Sequence, residues 1–251
     1  MGFTPSSSLR GDASGDGVTP HARPPENEIL SKLPALEVAA IMEQAEEISL
    51  KLRDELFEPH DKLNRVYFPL NGMISLVTLL QDGTAIEAMT VGREGFVGLP
   101  LVNGVETARY RGMCQVAGNF VALPTRGFLD ILETAPDLKR RLYRYSQFAQ
   151  EAVSQSAACN GVHTIEARCA RWLLLSGDAV GRSTFSITHE FLSQMLAVRR
   201  PGVSVAVGAL ERKSLISHQY GKISILDTEG LRKAACECYS TLREKGLELL
   251  S

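Results

Sequence analysis

The chain has 251 residues, enough for two ordinary domains, and its 44% hydrophobic content is that of a water-soluble globular protein rather than a disordered or membrane-spanning one. No apolar run approaches the length of a membrane span, and the N-terminus lacks the basic-then-apolar pattern of a secretory signal. The net charge of -2 is unevenly divided: residues 162–226 carry eight Lys or Arg against four acids, residues 1–161 fifteen against twenty, and residues 227–251 four against five, so one basic module is set to meet a polyanion.

Residues 1–27 are rich in Gly, Ser, Pro and Asp without hydrophobic periodicity and read as a disordered leader. From Glu28 apolar residues recur, and Pro34 opens a helix carrying Leu36, Val38, Ile41 and Met42. Short β-branched and aromatic runs follow at Ile48–Leu52, Arg65–Phe68, Met73–Leu80 and Ala85–Val91, with two more between Arg111 and Leu123. Turn signals at 69–72 and 81–83 separate them, which predicts an antiparallel sandwich or barrel over residues 28–135.

A second helical region starts near Phe128, breaks at Pro136 and resumes to about Gly161. Along it Leu138, Leu142, Tyr145, Ala149, Ala152, Ser156 and Cys159 alternate steps of four and three, a heptad seam that turns from large to small residues. The seam predicts a parallel homodimer interface over residues 136–161; packing on the chain's own barrel is the alternative.

Residues 162–226 read as a compact DNA-binding unit. Thr164 can cap a helix bearing Ile165, Cys169, Trp172, Leu173 and Leu174, which Gly177 and Gly181 end. A short strand at Ser183–Ile187 leads to two helices within Thr188–Lys213. In the first, Phe191, Leu192, Met195 and Leu196 form an apolar stripe behind the capping Thr188. In the second, Val203, Val207 and Leu210 share one face, leaving Arg199, Arg200 and Ser204 for a partner, with Gly202 small enough for close backbone approach. Two β runs, Leu215–His218 and Lys222–Leu226, flank Gln219-Tyr220-Gly221 as a hairpin "wing". Helix, strand, two helices and hairpin make a winged helix-turn-helix whose second helix enters the major groove, with Thr188, His189, Arg199, Arg200, Gly202 and Ser204 as its DNA-facing candidates. Residues 227–251 form a helical tail. The predicted fold class is α+β.

Five fragments, in this order, carry a family resemblance: R-V-Y-F-P-L-N-G-M-I-S-L-V (65–77), V-G-R-E-G-F-V-G (91–98), N-G-V-H-T-I-E-A-R-C-A-R-W-L-L (160–174), T-H-E-F-L-S-Q-M-L-A-V-R-R (188–200) and A-C-E-C-Y (235–239). Over about residues 28–240 the chain resembles the Crp/Fnr family of bacterial transcription regulators. The resemblance implies a cyclic-nucleotide-binding-like β-roll, a long dimerisation helix and a C-terminal winged helix-turn-helix, hence a homodimer on double-stranded DNA in the cytoplasm, with RNA polymerase as a candidate partner. It also implies that Arg200 is the guanine reader at the start of the recognition helix. Pro201 and Val205 replace readers common in the family, and Ala197 stands where the turn usually has Gly.

Cyclic-nucleotide-responsive members follow F-x-G with a ribose-binding Glu and later an Arg-Ser phosphate clamp. Here Leu99 follows F-V-G, and the clamp region reads Glu106-Thr107-Ala108. An effector pocket around Gly98, Leu99, Thr107, Arg109 and Arg111 is therefore not expected to bind cyclic AMP in the usual way.

No cofactor is expected and the effector is left open. The five cysteines (114, 159, 169, 236 and 238) are scattered, which suits a reducing compartment. The first lies too far along for an Fnr-type iron–sulfur cluster. Cys159 and His163, one helical turn apart and followed by Cys169, and Cys236-x-Cys238, which lacks a second pair, are each read as packing residues, so no metal is expected, while a redox role for Cys236 and Cys238 is left open. No phosphate-cradling loop, nucleophile elbow or H-E-x-x-H motif points to an enzyme. The rival reading is a small-molecule-binding module that gates a protein partner.

Overall fold

A computed structural model describes residues 26–250. The leader expected over residues 1–27 lies almost wholly outside the described residues, but Asn27 belongs to the folded body. Its buried side-chain amide donates to the carbonyls of Pro69 and Gly95 (3.0 and 2.9 Å), while its Oδ1 accepts from the amides of Ile29 and Leu30.

A single 3₁₀ turn at Leu30–Lys32 precedes α1 (Ala35–Gln44), which buries Ile41 and leaves Leu36 and Met42 exposed. Seven strands follow: β1 (Glu46–Leu50), β2 (Glu55–Phe57), β3 (Arg65–Pro69), β4 (Met73–Leu79), β5 (Ala85–Val91), β6 (Arg111–Val116) and β7 (Gly118–Pro124). They form two antiparallel sheets, ordered β1-β7-β3 and β2-β6-β4-β5, with registers such as Ile74 opposite Val91 and Tyr67 opposite Ala122. The inner faces bury Val66, Phe68, Ile74, Phe96, Phe120 and Leu123, joined by Phe128 from a helix below. The short β2 and the single-turn helix α2 (Leu99–Val102) carry too few residues to show a period.

Helix α3 (Thr125–Thr134) closes the roll, and Pro136 starts the long helix α4 (Pro136–Val162). The seam expected to meet a second chain is covered within this one. Leu138, Leu142 and Tyr145 have no exposed surface and sit in the roll's core, so a partner has nothing left to bury there. The small residues near the end of α4 make room for α9 (Cys238–Leu250), which runs back antiparallel along α4. Glu151 pairs with Lys245 at 2.8 Å, Arg144 donates to the Glu248 carbonyl at 2.9 Å, and Gly246 faces the Phe148 ring. Residues 227–251, expected as a tail, therefore complete the core through Leu242, Leu249 and Leu250.

A second core holds α5 (Ile165–Val180), β8 (Thr184–Ser186), α6 (His189–Met195), α7 (Arg200–Arg212), β9 (Ile216–Gln219), β10 (Lys222–Ile225) and α8 (Thr228–Ala234). Thr164 caps α5 by accepting from the Ala167 amide, and Gly181 ends it with φ +66°. Gly177 lies inside the helix, where the Ile225 side chain leaves little room for a Cβ. Met73, Val77 and Val116 of the roll join this second core, so the two parts share an apolar joint.

Candidate nucleic-acid interface

Thr188 begins the site: its Oγ1 accepts from the Phe191 amide at 3.2 Å and caps α6. Phe191, Leu192 and Met195 anchor α6 in the second core. The turn then passes through Ala197, whose φ of +50° is the left-handed conformation that the Ala at this position predicts poorly. Arg199 is the N-cap of α7 with extended backbone, and no side chain caps it. Helix α7 buries Val203, Ala206, Val207 and Leu210, while Arg199, Arg200, Pro201, Ser204 and Val205 remain exposed. Its first turn contains no acid, so the positive end of the helix dipole and the two guanidinium groups point the same way, toward solvent. Pro201 fits because a first-turn residue needs no intrahelical N–H.

His189 and Ser204 come together across the two helices, Nδ1 to Oγ 3.0 Å, and Ser204 also donates to the Arg200 carbonyl at 3.3 Å. Gly202 faces inward instead, where a Cβ would lie 3.1 Å from Ile165 Cδ1; it sets how closely α7 packs on α5 rather than how closely it meets a groove.

Sequence reasoning missed His218. Its ring stacks on His189 with centroids 4.5 Å apart, and its amide donates to Glu211 at 2.7 Å. Burial, then the neighbouring His218 and Arg200, push the His189 pKa down. A lone His on an alternating strand gives no signal of its cross-element partner. The wing forms as expected: Tyr220 and Gly221 both have positive φ, the geometry of a two-residue hairpin turn, and Tyr220 is fully exposed.

Between roll and DNA unit, Glu87 of β5 accepts from Ser75 Oγ (2.7 Å) and from Trp172 Nε1 of α5 (3.0 Å). Burial pushes its pKa up to about 7 against the opposing pull of the two hydrogen bonds and Arg171.

The roll holds a cavity of about 450 Å³. Gly98, Leu99 and Arg109 line it, with Phe57, Leu76 and Met89, and with Ser146, Gln150 and Val153 of α4. Gly98 has φ +147°, and a Cβ there would collide with Phe96 and Val66. Two expected lining residues are elsewhere. Arg111 is held by Glu58 at 2.6 Å, and Thr107 pairs with Lys62 in an isolated bridge. Cys159, expected on the dimer seam, instead meets the link before α9, with its Sγ 3.5 Å from Cys236 Sγ.

Two sheets, a long helix and an exposed helix start beside a hairpin wing define a two-part fold that pairs a β-roll with a winged helix-turn-helix. Residues 167–234 match the family profile of the Crp-like helix-turn-helix domain. The chain is 27% identical over 198 residues to the transcriptional regulator SdrP of Thermus thermophilus, covering 76% of this chain and 94% of that one. In fold it is similar to FixK2 from Bradyrhizobium japonicum (TM-score 0.64, 16% identity, 76% of this chain and 98% of that one). It is also similar to a CRP-family transcriptional regulator from Thermus thermophilus (TM-score 0.62, 21% identity, 75% and 96%). The chain thus carries a Crp-like helix-turn-helix domain and is similar to transcription regulators of the Crp/Fnr family, and no helix among the described residues is long and apolar enough to cross a membrane.

Proposed function

We propose that the protein binds a pseudo-palindromic DNA site as a homodimer in the cytoplasm and contacts RNA polymerase from there. One observation carries the DNA reading: α7 buries its apolar face completely while Arg200 and Ser204 stand on the opposite, exposed face beside an uncapped helix start. Arg200 is the base reader, since a guanidinium matches the paired acceptors of guanine in the major groove. Arg199, Thr188 and His189 are placed for phosphate contact. The dimer uses the face of α4 that the protomer leaves open, where Tyr143, Gln150, Val153 and Ala157 recur at heptad spacing. Two recognition helices would then sit about 34 Å apart, one turn of DNA.

The roll's cavity takes an apolar effector rather than cyclic AMP. Leu99 offers no acceptor for a ribose hydroxyl, and Leu76, Met89 and Val153 give the cavity an apolar lining.

Selection of a site from randomised DNA, followed by a gel-shift titration at several salt concentrations, tests the reading. R200A should lose about 1–3 kcal/mol of specific binding while its non-specific background stays. Unchanged affinity for the selected site would remove Arg200 from the interface.

A further inference from the structure

Two residue pairs that look unrelated along the chain meet in space. Cys159 and His163 end α4; Cys236 and Cys238 lie at the link into α9. Their four donor atoms lie within 4.8 Å of one another, with the three cysteines buried and His163 half-buried. We propose that Cys159, His163, Cys236 and Cys238 form a mononuclear site for a thiophilic divalent cation, with zinc(II) as its natural occupant.

The distances fit that coordination. A tetrahedral ion with metal–sulfur bonds of about 2.3 Å and a metal–nitrogen bond of about 2.0 Å holds its donors about 3.5–3.8 Å apart. The observed Cys159 Sγ to Cys236 Sγ separation is 3.5 Å, and Cys238 Sγ to His163 Nδ1 is 3.6 Å. Three thiols and an imidazole are a soft donor set that selects zinc over magnesium or calcium. The four atoms enclose a space suited to one ion, too small for a cluster whose terminal ligands sit on different irons.

The surroundings are also those of a ligand set. His163 Nε2 lies 3.1 Å from Glu237 Oε1, so the carboxylate can hold the ring proton on Nε2 and leave the Nδ1 lone pair aimed at the sulfurs. Gln155 Nε2 donates to Cys238 Sγ at 3.1 Å. A disulfide between Cys159 and Cys236 would need a much shorter separation and would leave Cys238 and His163 without a role.

Loading a divalent cation releases the three thiol protons and leaves the site with one net negative charge. Two arginines buried beside it, Arg168 and Arg171, face that charge, and each has a buried Nε without a hydrogen-bond partner. Arg168 also donates to the Leu196 carbonyl at the turn between α6 and α7. The ion would thus lock α4 to α9 and, through Arg168, brace the turn that aims the recognition helix.

The test uses the full-length chain purified under reducing conditions, with metal measured by mass spectrometry and zinc then replaced by cobalt(II). Wild type should hold one zinc per chain and give the intense visible bands and thiolate charge-transfer band of tetrahedral cobalt. C159S, C236S, C238S and H163A should each weaken binding at least tenfold. E237Q should weaken it about tenfold by loosening the imidazole, and C169S should leave it intact. Because ligand variants can fail to fold, the wild-type cobalt spectrum and the proton release on loading decide independently. Substoichiometric metal in reduced, zinc-supplemented wild type, or a cobalt spectrum without thiolate charge transfer, overturns the proposal. So does a metal-free chain carrying a Cys159–Cys236 disulfide with undiminished stability.

Discussion

Helices α7 and α4 carry the same pattern, apolar or small residues at steps of three and four, and they cover it with different things. In α7 the striped face enters the core of its own domain, and what remains outside is Arg200, Ser204 and Val205. In α4 the striped face also disappears into the protomer, under the roll at Leu138, Leu142 and Tyr145, and against α9 at the small residues. Periodicity reports that a face is covered. It does not name the cover, because a barrel, a neighbouring helix and a second chain all ask for the same spacing. Charge resolves α7, since two arginines without acidic neighbours are costly to bury. The α4 seam contains no charge to arbitrate.

The sharpest way to break this comparison is to cut into the two faces of α4 separately. Leu142 has no exposed surface, so L142A should cost about 2–5 kcal/mol in urea unfolding through lost burial and a residual cavity. Tyr143 is 50% exposed on the open face, and Y143E should leave protomer stability within about 0.5 kcal/mol while shifting sedimentation toward monomer. The reverse pattern, an intact but monomeric L142A, would return the dimer contact to the seam.

A smaller effect is expected at the joint between roll and DNA unit. Glu87 has a folded-state pKa of about 7 against an unfolded value near 4.5, so the native state holds its proton more tightly. Its contribution is fully present below about pH 4.5 and is lost as pH rises through about 7, amounting to about 3 kcal/mol. E87Q keeps acceptor and donor capacity without ionising, so its stability should fall less steeply between pH 5 and 8 than that of wild type, the remaining decline coming from Glu94, whose pKa burial also pushes up to about 7. Parallel pH curves for the two proteins would show that Glu87 does not govern that decline.

The roll and the winged unit were legible because each residue there answers to a local rule. Turn residues separate the strands, Thr164 and Thr188 cap as hydroxyl side chains do, and Tyr220-Gly221 adopts the turn its Gly permits. What could not be read depends on residues far apart in the chain. Nothing local tells His189 that His218 will stack on it, or Cys159 that Cys236 will arrive from 77 residues on. Nor could the sequence reveal that Arg111 is already held by Glu58 and so withdrawn from the pocket. The recognition face came through because it had to stay exposed; the buried cysteine pairs were hidden because burial is also what an ordinary packed cysteine shows.

The turn between α6 and α7 offers the finest test of how rigidly the recognition helix is aimed. Ala197 sits there at φ +50°, a conformation that costs an ordinary residue about 1–2 kcal/mol. Glycine removes that cost but adds conformational freedom to the unfolded chain, worth about 0.4–1 kcal/mol in the opposite direction. The balance predicts that A197G stabilises the protein by about 0.5–1 kcal/mol, read as a small rise in Tm. The Ala197 side chain is exposed and supports no packing, so the hydrogen bonds around the turn, Ala197 N–H to Gln194 O and Val198 N–H to Ser193 O, should persist in the variant. DNA affinity should therefore change little, because α7 keeps its angle. A fall in stability would mean that the turn does not hold residue 197 in the left-handed region. A rise in stability with weakened site-specific binding would mean that the strained alanine helps fix the angle at which Arg200 is presented.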